Sequence, residues 1–194
     1  MSRFLSISAF FILFLSPHLF GQQDFSKVKI ASKKLGKNIY TLKGAGGNIG
    51  VLTGKDGVIL IDDQFAPLHE KIARALGKIS KQKVKFVINT HWHFDHVGGN
   101  EKFGKTGSII VAHKNVRKRM KKGQLIEFFK RQVPPAAPSA LPVVTFEQEM
   151  NLHLNGEDIQ IIHVRKAHTD GDSIVFFKKS REYNCKFQHC WLYV

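Results

Sequence analysis

Three imidazoles and a carboxylate fall within six consecutive residues, His91-Trp92-His93-Phe94-Asp95-His96. They follow the apolar run Phe86-Val87-Ile88-Asn89-Thr90, which reads as a buried strand, and they precede Gly98-Gly99-Asn100. Unpaired polar groups are costly to bury and like charges repel, so such a cluster points to a metal that holds it together. In an extended stretch, residues two apart share a side. His91, His93 and Asp95 would then converge, while His96, one step out of phase, would face elsewhere and could serve a second metal nearby. Imidazole with carboxylate is a donor set suited to zinc, with iron or manganese as substitutes.

The other histidines separate into two kinds. His69, His113, His153 and His163 each stand alone in a strand or helix pattern and read as ordinary satisfied polar groups. His168 differs, because Ala167-His168-Thr169-Asp170-Gly171-Asp172 is a turn-rich segment placed just ahead of the strand Ser173-Ile174-Val175-Phe176-Phe177. Asp170 and Asp172 read as turn residues and not as ligands.

The His-x-His-x-Asp-His run after a strand, with Gly-Gly following, resembles the signature of the metallo-β-lactamase-fold hydrolases. Two further stretches are similar to that family. Gly46-Gly47-Asn48-Ile49-Gly50-Val51-Leu52 with Asp56-Gly57-Val58-Ile59-Leu60-Ile61-Asp62-Asp63 resembles its opening hairpin, which ends in an acidic residue near the metals, and the segment around His168 resembles the part that supplies a third histidine. The resemblance spans about Val28 to Lys178. It implies an α/β fold, a metallo-β-lactamase-like αββα sandwich of helix, sheet, sheet and helix, with the metals at one edge between the sheets. It also implies one zinc on His91, His93 and His168, a partial second site at Asp95 and His96, and Asp95 as the catalytic group that orients the attacking water and relays a proton. A lactam, lactone or other ester, thioester or phosphodiester would be the small-molecule substrate. The alternative is a largely inactive zinc-binding remnant of such an enzyme.

That alternative comes from the carboxyl-terminal text. By resemblance, a further strand ending in Gly-Asp should follow and bridge two metals, and a later histidine should complete the set. Residues 179–194 contain no Gly-Asp and instead carry Cys185, His189 and Cys190. They read as an atypical tail, such as a frameshift would produce, so the sandwich is expected to be incomplete and to hold nearer one zinc than two. At the other end Met1-Ser2-Arg3 leads an apolar run from Phe4 to Leu15, then Ser16-Pro17 and a small residue at Gly21. This order matches a secretory signal over residues 1–21. It leaves a domain over 22–178, a periplasmic or secreted location, and no stable membrane anchor after cleavage.

Lys and Arg number 30 against 15 acidic residues, for a net charge of +15. The basic run Lys114-Asn115-Val116-Arg117-Lys118-Arg119-Met120-Lys121-Lys122 reads as a solvated helix face, with attraction to anions as the functional alternative. No aromatics interleave with it, so a stacking platform for single strands lacks support. A phosphodiesterase of the same fold that holds nucleic-acid phosphates on this run is the weaker reading, and the export signal disfavours it. Periodicity predicts strands near 27–32, 38–43, 48–53, 57–61, 85–90, 108–112, 143–146, 150–154, 158–164 and 173–177. It predicts helices over 67–79, after Gly99, over the basic run and over 125–130. Asn155-Gly156 marks a hairpin turn, and the proline-rich 133–142 reads as a non-helical surface loop.

Overall fold

The computed structural model describes residues 24–126 and 131–180. Its centre is a seven-stranded sheet. Strands β1 (Ala31–Lys34), β2 (Ile39–Lys43), β3 (Ile49–Leu52) and β4 (Val58–Ile61) form an antiparallel meander. From β4 the sheet continues in parallel through β5 (Val84–Asn89), β6 (Ile109–His113) and β9 (Val144–Phe146). Parallel neighbours need crossovers, and the helices supply them: α1 (His69–Ile79) links β4 to β5, while α2 (Phe94–Val97) and α3 (Asn100–Lys105) link β5 to β6. After β6 come α4 (Lys114–Lys122) and a small hairpin of β7 (Gln124–Ile126) with β8 (Arg131–Val133). A second, antiparallel sheet joins β10 (Glu149–Leu154), β11 (Glu157–His163) and β12 (Ser173–Phe177).

The period-2 alternation of the central strands sorts their side chains into two cores. Val58 and Leu60 of β4, Val87 of β5 and Ile110 of β6 pack with Leu68, Ile72 and Leu76 under the helices. Their neighbours Ile59, Ile61, Ile88 and Val111 turn the other way, onto Ile159, Ile161 and Val175 of the second sheet. Apolar residues on both faces of a strand require a layer on each side, which is why the parallel strands read as continuous apolar runs. Helix, sheet and sheet are thus in place, as an α/β sandwich of the expected kind. Among the described residues no α-helix follows α4.

Most elements lie where the sequence places them, including the one-turn entry Ala66–Leu68 into α1 and the Asn155-Gly156 turn, whose φ values are +57° and +76°. That turn also ties the sheets together: Asp56 N–H donates to Asn155 Oδ1 (2.9 Å) and Asn155 N–H donates to Asp56 Oδ2 (2.7 Å).

Four expectations need correction. The strand expected at 27–32 begins later, at Ala31, because Lys71 Nζ draws the chain into a turn by donating to the carbonyls of Phe25, Ser26 and Val28 (2.6–2.8 Å). The helix expected over 125–130 is not formed at its start, where Leu125 and Ile126 pair with Gln132 and Arg131 as a hairpin; residues 127–130 lie outside the described set. The proline-rich 133–142 is not wholly extended, since Pro138–Ala140 forms a single tight helical turn. A proline at the first position of such a turn lacks only an N–H that would have no partner there. Nor is this segment all surface, because Ala140 and Leu141 are buried and Asn100 Nδ2 donates to Ala140 O (3.0 Å). The fourth departure is the course of the histidine run, which leaves the extended form after His93.

The candidate metal centre

β5 ends at Asn89, and the histidine run continues from it as a bend followed by the single turn α2. The strand alternation expected of the run therefore fails after His93. The residue that joins His91 and His93 is His168, not Asp95. Among the described residues, His91, His93 and His168 each offer one ring nitrogen, and these atoms lie within 4.8 Å of one another. His168 Nε2 faces His93 Nδ1 at 3.0 Å. His96, expected to face elsewhere, lies beside the group, its ring centroid 4.0 Å from that of His91. Asp95 Oδ2 is 3.4 Å from His96 Nε2, so this pair sits together next to the three imidazoles.

Each member is held by the fold. The His168 loop is pinned by Asp172, which accepts from Thr169 N (2.8 Å) and Thr169 Oγ1 (2.6 Å). On its outer side Asn115 Nδ2 donates to Asp170 O (2.7 Å) and Arg119 forks onto both Asp170 oxygens. Asp170 and Asp172 thus do the turn work expected of them. His96 is fixed by Asp62 at the end of β4. Asp62 Oδ2 accepts from His96 Nδ1 (2.7 Å) and Thr90 Oγ1 (2.7 Å), and Oδ1 accepts from Thr90 N (2.7 Å). Next in the chain, Asp63 clamps the turn after α2 by donating its N–H to His96 O (2.9 Å) and accepting from Gly99 N (2.8 Å). Gln64 Nε2 donates to Gly47 O, and the Gly47 backbone lies flat on His96: a β-carbon there would be 2.6 Å from Cε1 of the ring. Only glycine leaves room for that approach.

Sequence reasoning placed an acidic residue near the metals but gave no role to Asp62, Asp63, Gln64 or Thr90. The signal was the polar triplet Asp62-Asp63-Gln64 closing a wholly apolar strand, because three buried polar residues in a row need partners. Of the four histidines read as ordinary satisfied groups, His69 departs from that reading. It is buried against Phe103, ring centroids 4.5 Å apart, and its Nδ1 has no hydrogen-bond partner among the described residues. The other three are satisfied away from the metal group. His163 Nδ1 pairs with Asp172 O (2.8 Å) and its ring stacks on His113 at 3.8 Å, while His153 Nδ1 pairs with Asp158 (2.7 Å). Cys185, His189 and Cys190 lie outside the described residues.

Burial, then the neighbouring His96, His93 and His168, push His91 far below its ordinary pKa. Burial and His168 lower His93 as well. Both rings are therefore neutral with a free lone pair, the form that binds a metal. Zinc ligands at about 2.0–2.1 Å in a tetrahedron lie roughly 3.3 Å from one another. Small ring movements bring the three nitrogens to that spacing, so the donor set fits such an ion. Burial opposes the charge on Asp95, but its contact with His96 outweighs this and holds the carboxyl below its usual range. Burial likewise opposes the charge on His96, and the adjacent Asp62 and Asp95 carboxylates overcome it, pushing the ring up to about 10.

Metal-free protein therefore gains stability from a charged His96. That gain is complete below the unfolded pKa of about 6.5 and is lost as pH rises toward about 10. Urea midpoints of chelator-treated protein should fall between pH 7 and 10, and His96→Gln should flatten the fall. An equally steep decline in the variant would place its origin elsewhere.

The sequence profile described as the metallo-beta-lactamase superfamily matches residues 42–181. Solved structures agree on the fold. The class B3 di-zinc metallo-beta-lactamase LRA-12 from an Alaskan soil metagenome superposes with a TM-score of 0.67 at 18% identity, covering 80% of this chain and 65% of that one. A metallo-beta-lactamase of Cronobacter sakazakii gives 0.65 at 16% identity, over 77% of this chain and 62% of the other. BJP-1, a subclass B3 enzyme of Bradyrhizobium japonicum, gives 0.58 at 20% identity, over 77% and 62%. The chain thus spans a little over three fifths of the length of each. A profile match across more than half of the chain, on a fold that brings the expected histidines together, makes this protein a member of the metallo-beta-lactamase superfamily.

Proposed function

We propose that the protein is a zinc-dependent hydrolase of a lactam, ester, thioester or related bond in a small molecule. The observation that carries this reading is the group of three imidazole nitrogens within 4.8 Å, with an ionised carboxylate beside it. His91, His93 and His168 would hold the metal. When bound, a zinc ion lowers the pKa of water toward neutrality and polarises the oxygen of the bond to be cleaved. Asp95 is the chain's own acid–base group. Its side chain is 28% exposed, which leaves it open to the mouth, and it stays ionised through His96. It can therefore accept a proton from the attacking water and deliver it to the leaving group. Asp62, Thr90 and Gly47 do not touch the reaction; they fix the ring of His96, which in turn fixes Asp95.

Zinc-loaded protein should hydrolyse an activated ester or lactam, lose turnover to a chelator, and regain it with zinc. Asp95→Asn should lower kcat by about a hundredfold or more with zinc content unchanged. Turnover indifferent to the chelator would contradict the reading, and so would a fully active Asp95→Asn protein. We also propose that the protein is exported, a reading supported by the basic start and the apolar run within residues 1–15 of the sequence. Fractionation of cells making the full chain tests this, with periplasmic or medium recovery expected and cytosolic recovery contradicting it. Among the described residues no helix is long and apolar enough to cross a membrane.

A further inference from the structure

The end of the fold farthest from the histidines is built from turns that carry lysine. β5 starts at Val84 and leads to His91 beyond its other end, so the turns before Val84 lie about 20 Å from the metal group. Backbone bonds gather several stretches at this end. Thr53 N–H donates to Asn38 O, Val58 N–H to Lys83 O and Lys178 N–H to Asp158 O, all at 2.9 Å, while Asn155 ties the second sheet to Asp56. The α1 helix also ends here, where Ser80 N–H donates to Leu76 O. On these stretches Lys37, Lys55, Lys78, Lys83, Lys85 and Lys178 are exposed, and none has an ion-pair partner among the described residues. Three acids share this end, and each is held by another group. Asp56 exchanges bonds with Asn155, buried Glu157 accepts from Lys179 N and Ser180 Oγ, and Asp158 pairs with His153 and Lys179. Positive charge is thus left in excess.

The lysines stand in a two-dimensional array. Lys37 precedes β2, Lys55 lies between β3 and β4, and Lys83 precedes β5, and these four strands are consecutive neighbours in the sheet. At about 4.8 Å per strand the array is about 14 Å wide. Lys178 follows β12 in the second sheet, one sheet spacing of about 10 Å away. Such a patch matches a plane of anionic groups, whereas a nucleic-acid strand calls for cations that track along a groove. The chemistry of the six side chains agrees. All are lysines, compact and hydrated point charges, and none offers the guanidinium fork that grips a phosphate on two oxygens.

We propose that this lysine-bearing end docks reversibly, by charge, on a membrane surface of anionic phospholipids. The metal group lies at the opposite ends of the same strands, so docking leaves its mouth facing away from the lipid. Binding of this kind needs neither bound zinc nor turnover.

The test is co-sedimentation of the full chain with two kinds of vesicle, pure phosphatidylcholine and an equal mixture of phosphatidylcholine and phosphatidylglycerol. The apolar run of residues 4–15 contributes alike to both, so the preference for mixed vesicles reports the charge. Each lysine close to an anionic surface strengthens binding roughly fivefold. The parent should therefore prefer mixed vesicles by more than about a hundredfold at low salt and lose that preference as salt rises. The triple variant Lys37→Gln, Lys55→Gln, Lys83→Gln should cut the preference about a hundredfold, and arginine at the same three positions should keep it. As a control, Lys118→Gln, Arg165→Gln, Lys166→Gln removes equal charge from exposed positions on α4 and the His168 loop and should leave the preference close to that of the parent. No preference in the parent, its survival in the first variant, its loss with arginine, or an equal loss in the control overturns the docking surface. So does a parent that binds duplex DNA more tightly than mixed vesicles at matched phosphate concentration, which would assign the patch to nucleic acid.

Discussion

Replacing His93 by alanine should abolish tight zinc binding, whereas His163→Ala should leave it close to that of the parent. His93 Nδ1 faces His168 Nε2 at 3.0 Å and belongs to the group of three nitrogens within 4.8 Å. Removing the outer partner of a metal ligand costs roughly 10–100-fold in affinity. Removing one of the three ligands found among the described residues should therefore exceed about a hundredfold. His163 is bonded through Nδ1 to Asp172 O and stacked on His113, away from that group. Asp172 O keeps a second donor, Val164 N at 2.9 Å, so the His168 loop should survive the change. Competition against a chromophoric chelator measures both variants. Parent-like affinity in His93→Ala would remove the cluster from the account.

The largest effect on stability is expected at Asp62. Its carboxylate is 1% exposed and accepts from Thr90 N, Thr90 Oγ1 and His96 Nδ1, all at 2.7 Å. Asp62→Ala strips three buried donors of their acceptor at once. Breaking a buried ion pair by deleting one partner costs about 3–5 kcal/mol, and an orphaned buried donor costs about 1–3 kcal/mol. Metal-free Asp62→Ala should thus lose on the order of 4 kcal/mol in urea unfolding near pH 7. Asp62→Asn, which keeps one oxygen acceptor for Thr90, should lose less. A loss below about 1 kcal/mol in the alanine variant would mean that the Asp62–His96 pair contributes little.

How far the sequence could be read follows from the distance over which each feature is determined. The central strands were legible because alternating burial on two faces is written locally, as in Val58-Ile59-Leu60-Ile61, whose odd and even members enter different cores. The helix over 69–79 was legible because Ile72, Ala75 and Leu76 repeat on one face. The course of His91 to His96 was not, since a six-residue run rich in polar atoms has no period of its own. What bends it is the clamp of Asp63 on His96 O and Gly99 N, from a strand far earlier in the chain. The role of Asp62 was hidden for the same reason: its partners Thr90 and His96 are brought to it only by the parallel pairing of β4 with β5. The segment at 125–130 misled because Leu125 and Ile126 fit a helix as well as a hairpin, and the pairing with Arg131 and Gln132 decides. The metal group itself was legible in part. His168 was chosen by its turn-rich flank, and the fold brings it across 75 residues to His93.

The most direct test of that grouping is X-ray absorption at the zinc edge of protein loaded with a single equivalent. The arrangement of His91, His93 and His168 predicts three imidazole nitrogens at about 2.0–2.1 Å and no sulfur, with the imidazole count dropping in His168→Ala. A shell containing sulfur at about 2.3 Å, or an unchanged imidazole count in His168→Ala, would show that the metal is held by other residues and would contradict the account.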